Sequence, residues 1–575
     1  MNLGHARALA LLAVTAVVLA ACTPSDNTRA QGPEATVSAG ASESPGSPDG
    51  SPSPSPEDEK SVTPVSGTNP FDENDEIVTI AVKDPATLDP MLIGDPGSTL
   101  VARQLYEGLT RWNPATREVV GSVARSWTAN KPGTIFTFKL RSGVTFHDGT
   151  PVTANDFVFA FDRIAQRKNA SDLAYVLRRV KGFSAVNQIG KSQHLEGLKA
   201  PKPDTLVIEL SEPDQNFPAV LTHPGLVPLE AGAVSNTDEF LRNPIGNGPF
   251  QMAQPWDVGG DIYLESSDAA PRQPEVDGLR LVPYGEAAVS WLDFFEGELD
   301  VSEVPAGQLV DAAERYGDEN FLALMNGYAY GFNMGSKALD NRTLRRAANF
   351  SIDRSAIGQV VYNGIMEPPR GIVPPGVPGF RDNVCKKLCS YQPKFAKRLL
   401  KKVPARERKL TLQFPDEAPH NEVARLMKRN LSATGFDVKL QALKFNEFFD
   451  LLQTGRHSTY RLTWIAEFHS PDAYLAPLFE SDSPDNHSGF SSKKVDALFE
   501  KARAEPKVAK RLKLYAQIEK LILEQVPIVP LGYFKIHWAA QPEIKGLRVD
   551  SSGGFDAVTL SVDEQAETES EEEGD

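Results

Sequence analysis

A mixed α/β fold is predicted by three observations on the sequence. Residues 77–82 and 136–140 alternate apolar and polar side chains at period two, as strands do, and the apolar run 206–210 reads as another strand. Between such segments Phe157, Ala160, Phe161 and Ile164 recur at helical spacing, as do Leu514, Ile518, Leu521 and Ile522. About 490 residues lie between two ends of biased composition, room for roughly two to four domains, and no internal repeat divides them.

The chain opens with His5 and Arg7 and an apolar run, residues 8–19, too short to span a bilayer. Residues 1–21 therefore read as a signal peptide. Leu19-Ala20-Ala21-Cys22 resembles the lipobox at which bacterial lipoproteins are cleaved and lipidated on the cysteine; an ordinary secretory peptide with an incidental thiol is the alternative. Two or more acyl chains on Cys22 would hold the protein at a membrane surface. Residues 22–74, rich in Ser, Pro, Gly and acidic residues, lack the apolar content for a core and read as a disordered tether. Its span is on the order of 40 Å by flexible-chain statistics. Residues 563–575, almost all acidic or small, read as a solvated tail.

The net charge of −16, with no basic stripe, argues against nucleic acid and anionic headgroups as partners. Cys385 and Cys389 sit in a loop rich in Pro and Gly, and a small-loop disulfide is expected in an oxidising compartment, free thiols being the alternative. A structural zinc needs four ligands, and no second pair accompanies them. No metal or other cofactor is expected, and the nine histidines form no dense cluster.

Residues 126–163 are the most informative stretch. Phe136, Phe138 and Leu140 mark one strand, Val144 and Phe146 a second, and Asp148-Gly149 a turn that favours positive φ. Thr153 and Asp156 have capping-box spacing ahead of the helix. The order of these words resembles the signature of the family 5 extracytoplasmic solute-binding proteins, the oligopeptide and dipeptide receptors of ABC importers. Further quoted matches are Thr87-Leu88-Asp89-Pro90, Glu107-Gly108-Leu109, the glycine-rich residues 244–250, Tyr330-Gly331-Phe332-Asn333 and residues 344–354. Residues 244–250 lack a Walker lysine and are no phosphate loop. Ser351, where the family writes Ala, is expected to cap a helix, and Gln392 replaces the family's capping Asp.

The resemblance implies a periplasmic-binding-protein-like fold of class II, cluster C type: two lobes about a cleft, with an extra inserted domain. It places lobe I at 75–118, 237–326 and 527–562, the inserted domain II at 119–236, and lobe II (domain III) at 327–526. It implies hinge closure on a ligand, near Asn326 and Pro527. The expected role is capture of di- or oligopeptides outside the cell membrane, by a monomer, for delivery to an ABC permease, with no catalysis. The alternatives are a non-peptide ligand in the same cleft, such as an oligosaccharide, glycolipid or metal chelate, or an envelope scaffold lipoprotein.

The site is expected at residues 464–474, which resemble the family segment whose acidic residue pairs with a peptide's α-amine. Here that residue is Glu467; the alternative is a structural carboxylate, with Asp472 or nothing at the amine. Trp464 and Phe468 line the pocket or belong to the core. Tyr330, in a strand with Tyr328 and Phe332, faces the cleft or, more simply, the core, and Asn333 touches ligand backbone or holds the hinge. An enzyme is disfavoured: His147-Asp148 and His469 to Asp472 stand without a Gly-x-Ser-x-Gly elbow or a His-Glu-x-x-His helix, and His147 reads as a turn residue.

Overall fold

The computed structural model describes residues 69–563; the expected signal peptide, Cys22, most of the tether and nearly all of the acidic tail lie outside the described residues. Among the described residues no helix is long and apolar enough to cross a membrane.

One large mixed sheet runs through the molecule, and the strand Ile528–Ala540 joins its two halves. Its first residues pair antiparallel with Asn326–Phe332, Gly331 facing Ile528 and Tyr328 facing Gly532. Its last residues pair antiparallel with Val301–Glu303. On one side the sheet continues through Thr459–Ile465 and Lys409–Pro415 to Asp437–Leu443; on the other, through Ile77–Lys83 and Gly278–Tyr284 to Ile262–Ser266 and Phe250–Met252. The passage between the two half-sheets therefore runs along a thirteen-residue strand.

A separate antiparallel sheet is built from Ala124–Ala129, Ile135–Leu140, Thr205–Glu209 and Leu198–Lys202. Phe136, Phe138 and Leu140 are buried on one face, as the period-two pattern demands, and join Phe157, Phe161 and Ile164 of the helix Ala154–Ala165. The same apolar cluster contains Val78, Ile80 and Leu279, so this smaller sheet shares a core with the half-sheet around Ile77–Lys83. A second large cluster centres on Tyr328, Leu344, Leu412, Val423 and Leu531 in the other half.

Local signals acted as their chemistry requires, with two departures. The Asp156 carboxylate accepts from the Thr153 N–H at 2.7 Å and the Thr153 hydroxyl at 2.8 Å. Gly149 takes φ +84° in its turn. The strand expected at Val144 and Phe146 is reduced to one bridge, Thr145 to Pro151, because the tight turn leaves the arms too short for a ladder, although both side chains are buried. Ser351 does not start a helix: it ends Arg342–Ser351, its hydroxyl returning to Ala347 O at 2.8 Å. Asp353 performs the capping instead, accepting from Ala356 N at 3.1 Å ahead of Arg354–Tyr362. The helix Pro393–Leu400 starts at Gln392 without a side-chain cap bond. Cys385 and Cys389 form a disulfide with Cα atoms 5.5 Å apart.

His147 joins two of the recognised segments. Its backbone N–H donates to Gly246 O at 2.9 Å, its ring Nδ1 accepts from Gly246 N at 3.1 Å, and its Nε2 lies 3.2 Å from Gly248 O. A Cβ at Gly246 would sit 2.0 Å from Leu105 O, which explains the glycine there without invoking a phosphate.

Candidate functional site

A cavity of about 400 Å³ opens where the two half-sheets and the smaller sheet's surroundings meet. Its lining includes Arg103, Arg111, Trp112, Tyr175, His223, Thr463, Trp464, Glu467 and His469. The joining strand contributes Phe534, Lys535 and Ile536.

Glu467 stands in the short connection between the strand Thr459–Ile465 and the helix Pro471–Phe479. Three bonds hold that connection. Ala466 N donates to Met325 O at 2.9 Å, the Trp464 indole N–H donates to Ala473 O at 2.9 Å, and Ser470 caps the helix by accepting from Asp472 N at 3.1 Å. The Glu467 side chain is 39% exposed, and its Oε2 lies 3.7 Å from Nε2 of the much less exposed His223. A carboxylate so placed is open to a ligand on the cavity side and is fixed by its neighbours on the other.

His469, two residues on, is buried and stacks flat against Trp112, ring centroids 4.0 Å apart. Its Nε2 is 3.1 Å from Ser551 Oγ, and that hydroxyl donates to Gly376 O, so Nε2 carries the ring proton. Burial pushes the His469 pKa down to about 4, and burial with the adjacent Arg461 pushes that of His420 to about 2. Both rings stay neutral in the fold at pH values where an unfolded histidine, near 6.5, takes a proton. Acid therefore favours the unfolded chain: stability is present above about pH 6.5 and lost as pH falls toward 4. Burial raises the Glu303 carboxyl, which works the other way at the acidic end. The loss from these two rings alone between pH 7 and pH 5 is expected on the order of 3 kcal/mol, and His147, which burial also pushes down to about 4, adds to it. Urea titrations at the two pH values check it, and equal stabilities would contradict it.

Asp472 lies outside the cavity, in a buried ion cluster. Its carboxylate accepts from Arg503 Nε at 3.0 Å, Arg179 Nη1 at 3.3 Å and the Tyr515 hydroxyl at 3.0 Å. Burial alone would raise its pKa, but Arg503, Arg179 and Arg178 hold it down at about 2. Tyr330 is wholly buried in the apolar cluster beside Tyr328 and does not reach the cavity. Asn333 pins its strand end, donating to Gly455 O at 3.0 Å and His457 O at 2.8 Å. Phe468 faces a small adjoining recess with Asp472 and packs on the core. Of the expected residues, Glu467 and Trp464 are the two brought to the cavity wall. Arg111, Trp112 and His223 had no expected role; Arg111-Trp112 follow the recognised Glu107-Gly108-Leu109 by one residue, the only sequence signal that marked them.

Among the described residues no group of three or more His, Cys, Asp or Glu is arranged to hold a metal ion.

Residues 118–486 match the family model of bacterial extracellular solute-binding proteins, family 5. The chain belongs to this family. Relatives within reach of sequence comparison are similar along most of their length. The oligopeptide-binding protein of Bacillus subtilis (strain 168) is 28% identical over 496 residues, covering 82% of this chain and 89% of the relative. A probable deoxycholate-binding periplasmic protein of Escherichia coli (strain K12) is also 28% identical, over 489 residues, with 82% and 89% covered. The unliganded open form of a periplasmic murein tripeptide binding protein superposes with TM-score 0.74 at 24% identity, covering 85% of this chain and 98% of the other. The family fold is thus the two-lobed solute-binding arrangement, and the large sheet described above is its framework.

Proposed function

We propose that this family member is an extracytoplasmic lipoprotein, anchored through Cys22, that captures di- or oligopeptides in the cavity and delivers them to an ABC permease as a monomer. It performs no covalent chemistry. We divide it into lobe I (75–118, 237–326 and 527–562), the inserted domain (119–236) and lobe II (327–526), with the strand Ile528–Ala540 bending as the lobes close. The observation that carries the reading is Glu467, a carboxylate held on the cavity wall by three bonds to its flanking chain and presented to the interior. An α-ammonium brought to it makes a charge-assisted hydrogen bond that strengthens as closure excludes water.

A second reading has an observation of its own. The cavity also presents Ile93, Leu100, Val227, Leu324 and Phe534, and one relative bears a bile-acid name, so an amphipathic non-peptide ligand is the alternative. Native mass spectrometry of protein purified without denaturation separates the two. Retained masses that fragment into amino-acid residues support peptide capture; a retained sterol-like or sugar mass replaces it with the second reading.

A further inference from the structure

We infer that the exposed face of the helix Ala287–Phe295 seats a protein partner that brings an apolar pocket ringed by Lys and Arg. In the import reading, on which this rests, that partner is the permease.

The helix buries Ala287, Ser290, Trp291 and Phe294 and turns its other face outward. Val289, Leu292 and Phe295 stand on that outer face, 51%, 63% and 61% exposed, at spacings of three residues that keep them on one side of the helix. Among the described residues no other helix or strand exposes more than one large apolar side chain. Single ones are ordinary, whereas a stripe of three on one helix marks an interaction surface.

Charge decides the occupant. Glu286, Glu296 and Glu298 are exposed at the two ends of the stripe. Asp311 and Glu314 are exposed on the neighbouring helix Leu309–Tyr316, whose Tyr316 ring packs on Trp291 and Phe294 with centroids 5.8 and 5.1 Å away. The one base between residues 285 and 319 is Arg315, which lies over the Phe295 ring, 4.8 Å from its centroid. An anionic lipid surface is repelled by such a rim, and a second copy would set the same acids against it. Residues 22–68 of this chain carry seven acids against two bases and no apolar side chain larger than valine, so they do not fit either. A protein surface with an apolar centre and a basic rim complements the stripe.

The position suits delivery. Glu303, Val304, Ala306 and Leu309 line the cavity, so the stripe-bearing helix, packed on Leu309–Tyr316, stands one element behind the cavity wall. The Gln541 side-chain amide donates to Phe294 O at 2.6 Å, which ties the end of the same helix to the end of the joining strand Ile528–Ala540. A partner on the stripe thus touches an element bonded to the strand proposed to bend as the lobes close.

The test pairs binding with uptake. A pool of isotope-labelled di- to pentapeptides of random sequence is titrated against each purified protein by native mass spectrometry. Uptake of the same pool is measured in cells of the organism of origin in which each variant replaces the wild-type gene at equal protein level. Leu292→Asp and Glu296→Lys should keep wild-type peptide affinity and melting temperature and should cut uptake about tenfold or more, the order expected for loss of one interface anchor. Val360→Asp, at an exposed apolar residue standing alone on Arg354–Tyr362, should leave uptake unchanged. Undiminished uptake with either stripe variant overturns the assignment while the import reading stands. Uptake raised by Glu296→Lys overturns it in favour of an anionic lipid surface. A wild-type dimer in sedimentation that Leu292→Asp dissociates overturns it in favour of a second copy. Wild type that binds nothing in the pool, or cells that take up the pool equally without the gene, remove the import reading and this assignment together.

Discussion

Glu467→Gln should weaken binding of a peptide with an unmodified N-terminus by about 2 to 4 kcal/mol, roughly 30- to 1,000-fold, and should barely change binding of the N-acetylated form. The reason lies in how the carboxylate is held. Trp464, Ala466 and Ser470 fix the backbone on either side of Glu467, so the substituted amide occupies the same place and only charge is removed. Loss of affinity then reports the ammonium–carboxylate pair and not a rearranged wall. Isothermal titration of both proteins with both peptides forms a double-mutant cycle whose coupling energy isolates that pair. A coupling near zero, with the wild type binding both forms alike, would count against Glu467 as the amine anchor.

Asp472→Ala is expected to be the most destabilising change, by about 3 to 5 kcal/mol, because it leaves buried cations without their counter-charge. Arg503 and Arg179 converge on this carboxylate from different parts of the chain, and Arg503 also holds Glu480 at 2.6 Å while Arg179 holds Asp214 at 2.7 Å. The cluster therefore ties residues 179 and 214, near the smaller sheet, to the helices Pro471–Phe479 and Lys493–Ala504 of the other half. The backbone of Gln215 reinforces the tie, donating to Arg503 O at 2.7 Å. Arg503→Met alone should cost a similar amount, and the double variant should cost less than the sum, since each removes the other's unpaired charge. Chemical denaturation of the three variants measures this. Additive losses, or a single loss under about 0.5 kcal/mol, would show that water or neighbouring groups compensate the missing charge.

Local signals in the sequence were read well because they depend on a few neighbouring residues. The alternation at Phe136, Phe138 and Leu140, the Thr153–Asp156 cap and the Gly149 turn all follow from backbone geometry within about ten residues. The reading failed where the outcome depends on a partner far along the chain. Ser351 looked like a cap, but its hydroxyl is 2.8 Å from that of Thr434, in a contact no local pattern announces. For Tyr330 the sequence left cleft or core open, core being the simpler reading, and the structure places it in the core: both faces of its strand are covered, so alternation carried no information about which face meets a cavity.

The sequence alone determined the mixed α/β class, the family, and the segment that bears Glu467, because periodicity and word order are properties of the chain itself. Only the tertiary structure decided which charges enter buried clusters and which reach the cavity wall. It turned Asp472 into the centre of an ion cluster by bringing Arg179 and Arg503 to it, and it set Glu467 and Arg111 on the walls of one cavity. The physical reason is that an ionic side chain's role depends on the charges and water within a few ångströms of it, and folding assembles that neighbourhood from residues hundreds of positions apart.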